Sequence, residues 1–494
     1  MNYLPSKTIT VFVDTVTEIF FYLEIVVIFI THNLLEMWFT LFVGSLIFLL
    51  YQLWLKPLRH WEKQNVQYVE PWPLFGNLFP VIMGKQSTAE RLQELYNSFG
   101  DERCIGIHLF TRPQLMLKSL SLVQLIGAKD VSYFESNAHK WQDLGGIFGV
   151  SSMRSMFRSV SDHASNFVRQ LPAEEIDCQD VFPRLATDLL ASVTLGVVNV
   201  LVDETNELFA ATRNLLTDCS IFTNLKELLR LEPRLDFLGD VIKKQISERE
   251  SVAANMLEML LQLRDGKELE PHKGCNCMVV LSDEEIVNCA KALLLEGIQT
   301  TSSLMCAISC ELAINTNEQQ KLLREIDDTL QGCNGAITYD KLVDMKYLDM
   351  VVSESLRKWP PKDTLKKICG SDYTVRTEEG DIAVVLEKGS SVIIPVYAIH
   401  RDPKYFSCPG KFDPERFSDE NKCNIVPFSY MPFGVGRESC IAPRLALLVT
   451  KIVFFHLLSQ FELRVVDKTT MPMMYMNPFS KSREHCHIGL KKRK

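Results

Sequence analysis

Residues 432–440 read Pro-Phe-Gly-Val-Gly-Arg-Glu-Ser-Cys and stand just before an apolar stretch, residues 441–457, with the spacing of a helix. Two glycines let a backbone turn tightly and come close to a flat ligand. Backbone N–H groups around Cys440, and the helix N-terminus beyond it, stabilise a thiolate. A thiolate held in that way is a good axial ligand for haem iron. The competing account is a small, buried, inert cysteine, which describes most single free cysteines.

Other candidates for chemistry lie upstream. Glu354 and Arg357 are three apart in a helical stretch, an arrangement that on a surface is worth only about a few tenths of a kcal/mol. Arg416 follows in Pro-Glu-Arg-Phe, residues 414–417. Before them, Ser282 with Glu285 three residues on forms a capping box, and it opens a long apolar helix reaching about Ile314. The middle of that helix is Glu296-Gly297-Ile298-Gln299-Thr300-Thr301. Glu296 lies three and four residues before Gln299 and Thr300, so the three share one helical face. The bland reading of Glu296 is a helix carboxylate turned to solvent.

Taken together and in order, Glu354, Arg357, Arg416 and Cys440 resemble the motifs of the cytochrome P450 family. Phe433, Gly434, Gly436 and Cys440 match its haem-binding loop, Phe-Gly-x-Gly-x-Arg-x-Cys-x-Gly. Residues 398–403 (Ala-Ile-His-Arg-Asp-Pro) and 412–417 are similar to animal microsomal members, closest to the insect detoxification type. The resemblance runs from about Met37 to the C-terminus. It implies a mainly α fold with small β-sheets and an N-terminal membrane anchor helix. It also implies haem b held by Cys440, Phe433 shielding the sulfur, and a Glu354–Arg357–Arg416 cluster under the haem. Gly297 would let dioxygen approach the helix, and Thr300 would offer it a hydroxyl. Trp141 would hold one haem propionate, with Lys367 near the other and Arg437 beside the ligand loop.

The chain departs from that pattern where the chemistry is concentrated. Gln299 stands where the family has an acid, and an amide is no titratable proton donor. Glu296 stands where alanine is usual, so it either substitutes as proton source or forms an ester to a haem methyl. Gly145 replaces the arginine that partners Trp141, and Lys366-Lys367 replaces an arginine; a lysine carries charge but no bidentate fork. Glu438 replaces the arginine two before Cys440, a repulsive exchange near a propionate, and Ala442 replaces a glycine. The segment from Phe134 to Trp141 is short where relatives carry a longer roof over the substrate pocket.

Composition limits the alternatives. The 494 residues carry 53 basic and 61 acidic side chains, net −8, so no basic excess points to nucleic acid. Fourteen scattered cysteines suit reduced thiols in the cytosol. His272, Cys275 and Cys277 lack the paired spacing of a zinc site and read as a solvated loop. The expected organisation is an extension (1–36), a transmembrane anchor (37–56), a basic and proline-rich hinge (57–77) and one haem-thiolate catalytic domain (78–494). Lys56, Arg59 and Lys63 after the apolar run keep the C-terminal side in the cytosol by the positive-inside rule. The final basic residues, Lys491 to Lys494, read as a frayed tail or a dilysine-like retrieval signal.

The resemblance places the protein in the endoplasmic reticulum membrane. There it implies a monooxygenase acting on a lipophilic molecule, with electrons from NADPH–cytochrome P450 reductase and from cytochrome b5 as a second donor. Arg437, Arg444 and Lys451 are the basic contacts expected for such a reductase. Two rivals remain at this stage. One is a haem-thiolate isomerase or dehydratase acting on a peroxide, which needs neither the missing acid nor external electrons. The other is a degenerate haem protein serving as a ligand sink or sensor.

Overall fold

The computed structural model of the chain describes residues 42–45, 48–49, 51–52, 56–135, 143–196, 236–248, 255–265, 281–333, 336–376, 382–469 and 486–493. Among the described residues helices dominate, and the strands form sheets of five, three and two members. The described residues fall into two units. One comprises those up to Leu122 with Ser132–Glu135 and Lys366–Ile394; the other comprises Val123–Val131, Ser136–Leu365 and Pro395–Lys494.

The first unit is built on the five-stranded sheet. Its strand order is Cys104–Leu109, Arg112–Leu117, Ser391–Ile394, Leu365–Cys369 and Phe134–Glu135. The first two strands are antiparallel, and the Ser391–Ile394 strand joins the second in parallel. The proline-rich stretch before it is folded back on this sheet. Trp72 and Gly76 exchange backbone hydrogen bonds, and Asn77, fully buried, accepts from the His108 N–H through Oδ1 at 2.7 Å.

The second unit holds the large apolar core, and six of its helices matter for the site. They are α1 (Val150–Gln170), α2 (Cys178–Leu195), α3 (Asp283–Ile314), α4 (Thr316–Gly332), α5 (Lys346–Lys358) and α6 (Pro443–Gln460). Helix α3 starts with the capping box read from the sequence: Glu285 N–H donates to Ser282 Oγ, and Ser282 N–H donates to Glu285 Oε2 at 3.0 Å. From Thr301 to Ala313 this helix is buried on nearly every face, as a central helix must be, whereas Ala292 and Glu296 in its first half are exposed. Among the described residues it is the helix long and apolar enough to cross a membrane, yet 61% of its apolar window is buried inside the fold, so it is a core helix. The anchor expected at 37–56 lies mostly outside the described residues, as do the 1–36 extension and the 272–277 loop. Helix α3 packs chiefly against α2, and α6 against α1.

Three expectations are corrected here. The helix after Cys440 begins at Pro443, not residue 441, because proline fixes its own φ and lacks an N–H, which suits it to the first helical turn. The basic C-terminal run is not frayed up to Arg493: Lys491 and Lys492 lie in the strand His487–Lys492, and Arg493 Nη2 donates to both carboxylate oxygens of Asp327 at 2.6 and 2.7 Å. The cysteines are not all reduced, since Cys310 and Cys486 form a disulfide. Cys178 is buried against that bridge, and desolvation pushes its thiol far above the usual range, so it is poorly nucleophilic.

Gln319 on α4 joins helix and sheet. Its amide nitrogen donates to the Leu312 and Leu463 carbonyls at 2.8 and 2.9 Å, and its oxygen accepts the Leu463 N–H at 2.8 Å, all in a buried site. Gln319→Leu strands three buried backbone groups. It is expected to lower stability by about 2–4 kcal/mol, read as a fall in the urea midpoint.

Candidate active site

The site is built outward from a buried ion pair. On α5, Arg357 donates from Nε to Glu354 Oε2 at 2.7 Å and from Nη2 to Oε1 at 2.8 Å, and both side chains are 0% exposed. Helical spacing alone permits that pair; burial makes it strong, because removing either partner leaves an uncompensated charge without water. The remaining donors and acceptors are used. Arg357 also donates to the carbonyls of His400 and Pro409, and Glu354 Oε1 accepts the Asp413 N–H at 2.9 Å. Arg416 adds its guanidinium at 3.6 Å from Glu354 Oε1.

His400 carries this network to the Cys440 loop. Its Nδ1 lies 3.1 Å from the Arg357 carbonyl, and its Nε2 accepts the Met431 N–H at 2.9 Å. Those two partners fix the neutral tautomer with the proton on Nδ1. Burial, with the cationic neighbours Arg357 and Arg401, lowers its pKa to about 3. From Met431 the chain enters the loop: Gly434 N–H donates to the Met431 carbonyl at 3.1 Å, and Cys440 N–H donates to the Phe433 carbonyl at 2.7 Å. Phe433 is partly buried against the apolar core.

Both loop glycines are required by geometry. Gly434 and Gly436 have φ of +84° and +67°, where a side chain is strained. At Gly436 a Cβ would stand 1.9 Å from the Gly127 carbonyl oxygen, so backbone meets backbone there with no room for even a methyl. Arg437 and Glu438 occupy the short turn that follows, Gly436–Glu438.

Cys440 itself is a free, exposed cysteine. Its sulfur is recessed enough that desolvation raises its pKa, while the Ala442 N–H hydrogen-bonds to it and favours the anion. Lys362 and Glu296 are the side chains whose charge acts on that sulfur, the first stabilising the thiolate and the second opposing it. They form an ion pair at 2.8 Å with side chains 56% and 65% exposed. Glu296 is therefore solvent-accessible and paired, within electrostatic reach of the thiol. Thr300, one turn on, donates its hydroxyl proton to the Glu296 carbonyl at 2.7 Å, and the Gln299 carbonyl accepts from Ser303 at 2.7 Å. A Cβ on Gly297 would lie 3.1 Å from Leu190 Cδ1, so this glycine sets how closely α3 approaches α2.

These residues fit a haem. A free thiol with an amide N–H aimed at it, on a loop whose two glycines admit no side chain, is the donor arrangement of a thiolate axial ligand. Trp141 lies outside the described residues, and Lys367 is buried on the Leu365–Cys369 strand of the first unit. Of the cations expected to face a reductase, Lys451 is corrected: it is 7% exposed and paired with Asp349 at 2.6 Å. His400 and Lys362 are the two site residues the sequence reading did not assign. His400 lay inside a matched stretch, residues 398–403, whereas nothing local to Lys362 marked it.

A histidine whose folded pKa is depressed binds its proton only in the unfolded chain between the two values. Stability is therefore full above the unfolded value near 6.5 and falls as pH drops towards about 3. Between pH 6.5 and 5 His400 alone should cost roughly 1.5–2 kcal/mol. Denaturant titrations at the two pH values should show a drop smaller by that amount in His400→Asn, and an equal drop in both proteins would show that His400 is not the group responsible.

A cytochrome P450 family model matches residues 143–485. Cytochrome P450 9e2 of Blattella germanica is 31% identical, over 83% of this chain and 89% of its own length. Probable cytochrome P450 9f2 of Drosophila melanogaster is 30% identical, over 83% and 90%. Cytochrome P450 6l1 of Blattella germanica is 29% identical, over 90% and 94%. With a family model covering more than half of its length and relatives of this similarity over 83% of it or more, the chain belongs to the cytochrome P450 family of monooxygenases.

Proposed function

We propose that the protein is a haem-thiolate monooxygenase, tethered by an N-terminal anchor to the cytosolic face of the endoplasmic reticulum, that inserts one oxygen atom from dioxygen into a lipophilic molecule. Electrons come from NADPH through a membrane-bound flavoprotein reductase, with cytochrome b5 as a second donor. The observation that carries this reading is Cys440, a free thiol with an N–H donor on a glycine-shaped loop.

Haem bound through Cys440 supplies the activation of dioxygen. Cys440 supplies the thiolate and Phe433 covers the loop around it. Glu354, Arg357 and Arg416, through His400, hold the backbone from which the thiol projects. Arg437 and Lys367 are proposed to balance the charge of the propionates, and Trp141 to hold one of them through its indole N–H. Gln299 cannot give up a proton, so the protons that oxygen cleavage consumes pass through another group. Glu296 is the carboxylate on the same helix face, and Thr300, whose hydroxyl donates to the Glu296 backbone carbonyl, lies one turn on. An ester from Glu296 to a haem methyl is the other role open to that carboxylate.

Gln299 also favours a second reading, isomerisation or dehydration of a peroxide, which consumes neither NADPH nor dioxygen. Incubation with reductase separates the two, since only the monooxygenase draws on both.

The reduced, carbon-monoxide-bound spectrum of the purified protein should show the red-shifted Soret band of thiolate ligation, and Cys440→Ala should abolish it. An unchanged spectrum in that variant rejects the assignment. In acidified organic solvent, haem that leaves the protein freely excludes the ester. Haem that stays bound, and leaves only after Glu296→Gln, assigns it to the ester.

A further inference from the structure

The Glu296–Lys362 pair is more exposed than buried, and such a pair stabilises a fold by only about 0–1 kcal/mol. Its interest lies in its placement. The helical neighbours one turn from Glu296, namely Ala292, Leu293, Gln299 and Thr300, carry no charge. The cation instead comes from a turn 66 residues along the chain, where Lys362 Nζ donates to Glu296 Oε2 at 2.8 Å. That turn is stiff: Pro360 and Pro361 precede Lys362, and the next carbonyl, of Asp363, accepts the Tyr397 N–H at 3.0 Å. Both charges also lie within electrostatic reach of the Cys440 sulfur.

A lone carboxylate beside the reacting centre would repel anionic ligands. It would also be free to swing among rotamers, since a solvated glutamate has little to hold it. An ammonium on a rigid turn removes both problems.

We propose that Lys362 is a positioning residue for Glu296, its ammonium holding and neutralising the carboxylate in the neighbourhood of Cys440. Substrate and dioxygen then meet a paired charge, not a net one. This rests on the haem-thiolate reading above and on Glu296 being a free carboxylate, which the haem extraction described there checks separately.

Equilibrium binding of cyanide and imidazole to the ferric holoenzyme, followed optically, tests it. Cyanide binds as an anion and imidazole as a neutral ligand. Lys362→Met leaves the carboxylate unpaired and should weaken cyanide about ten-fold, the scale of one uncompensated charge several ångströms away in a partly solvated site. Glu296→Gln leaves the ammonium unpaired and should strengthen cyanide by a similar factor. The double variant should return close to the unmutated protein, and Lys362→Arg, which keeps the charge, should match it. Imidazole should be nearly indifferent to all four. Cyanide affinity that does not change, or that moves in the same direction in both single variants, overturns the proposal. The carbon-monoxide band is recorded first for each protein. Its absence from the unmutated chain rejects the haem-thiolate reading and this proposal with it, whereas an intact band with a flat cyanide response rejects the role of Lys362 alone.

Discussion

The position of Cys440 depends on one buried interaction, the two-point bond between Arg357 and Glu354. Neither side chain touches water, so every donor and acceptor must be satisfied by protein, and the satisfied set reaches well beyond the pair. The carbonyls of His400 and Pro409, the N–H of Asp413 and the guanidinium of Arg416 all converge on it. A buried charge pair of this kind is a weak argument for stability but a strong one for uniqueness of arrangement, because partial satisfaction is costlier than an apolar replacement. Its use here is to fix a backbone.

That fixing passes through an imidazole. His400 donates from Nδ1 to the Arg357 carbonyl on one side and accepts the Met431 N–H at Nε2 on the other, joining the end of α5 to the residue that precedes the Cys440 loop. The loop adds its own constraints through the Gly434 and Cys440 N–H groups. In its proposed role the thiol needs a well-located backbone, and the buried bonds of Arg357, Glu354 and His400 supply that constraint behind a loop that is itself largely exposed.

Much of this was legible in the sequence, for reasons that differ by residue. Ser282 and Glu285 announced the start of α3 because a capping box is a local device. The order Glu354, Arg357, Arg416, Cys440 was legible because one family arranges those residue types in that order. The start of α6 was misjudged by two residues because the apolar run was weighed above Pro443. Lys451 was read as a surface cation because periodicity does not show that Asp349 lies opposite it. Lys362 was illegible for the same reason on a longer scale: its partner Glu296 is 66 residues away. The disulfide between Cys310 and Cys486 likewise depends on a closeness that spacing does not encode.

The contact between Gly436 and Gly127 carries a wider consequence. The Gly127 carbonyl belongs to a π-type turn, Leu125–Lys129, in which one residue more than usual is taken into the coil. The ligand loop rests on that swollen turn at bare-backbone distance, so a change that tightens the coil withdraws the carbonyl and lets the loop settle elsewhere. In the proposed role of Cys440, loss of the thiolate's optical signature can thus originate in a segment remote from the sulfur in sequence, whose one charged residue is Lys129.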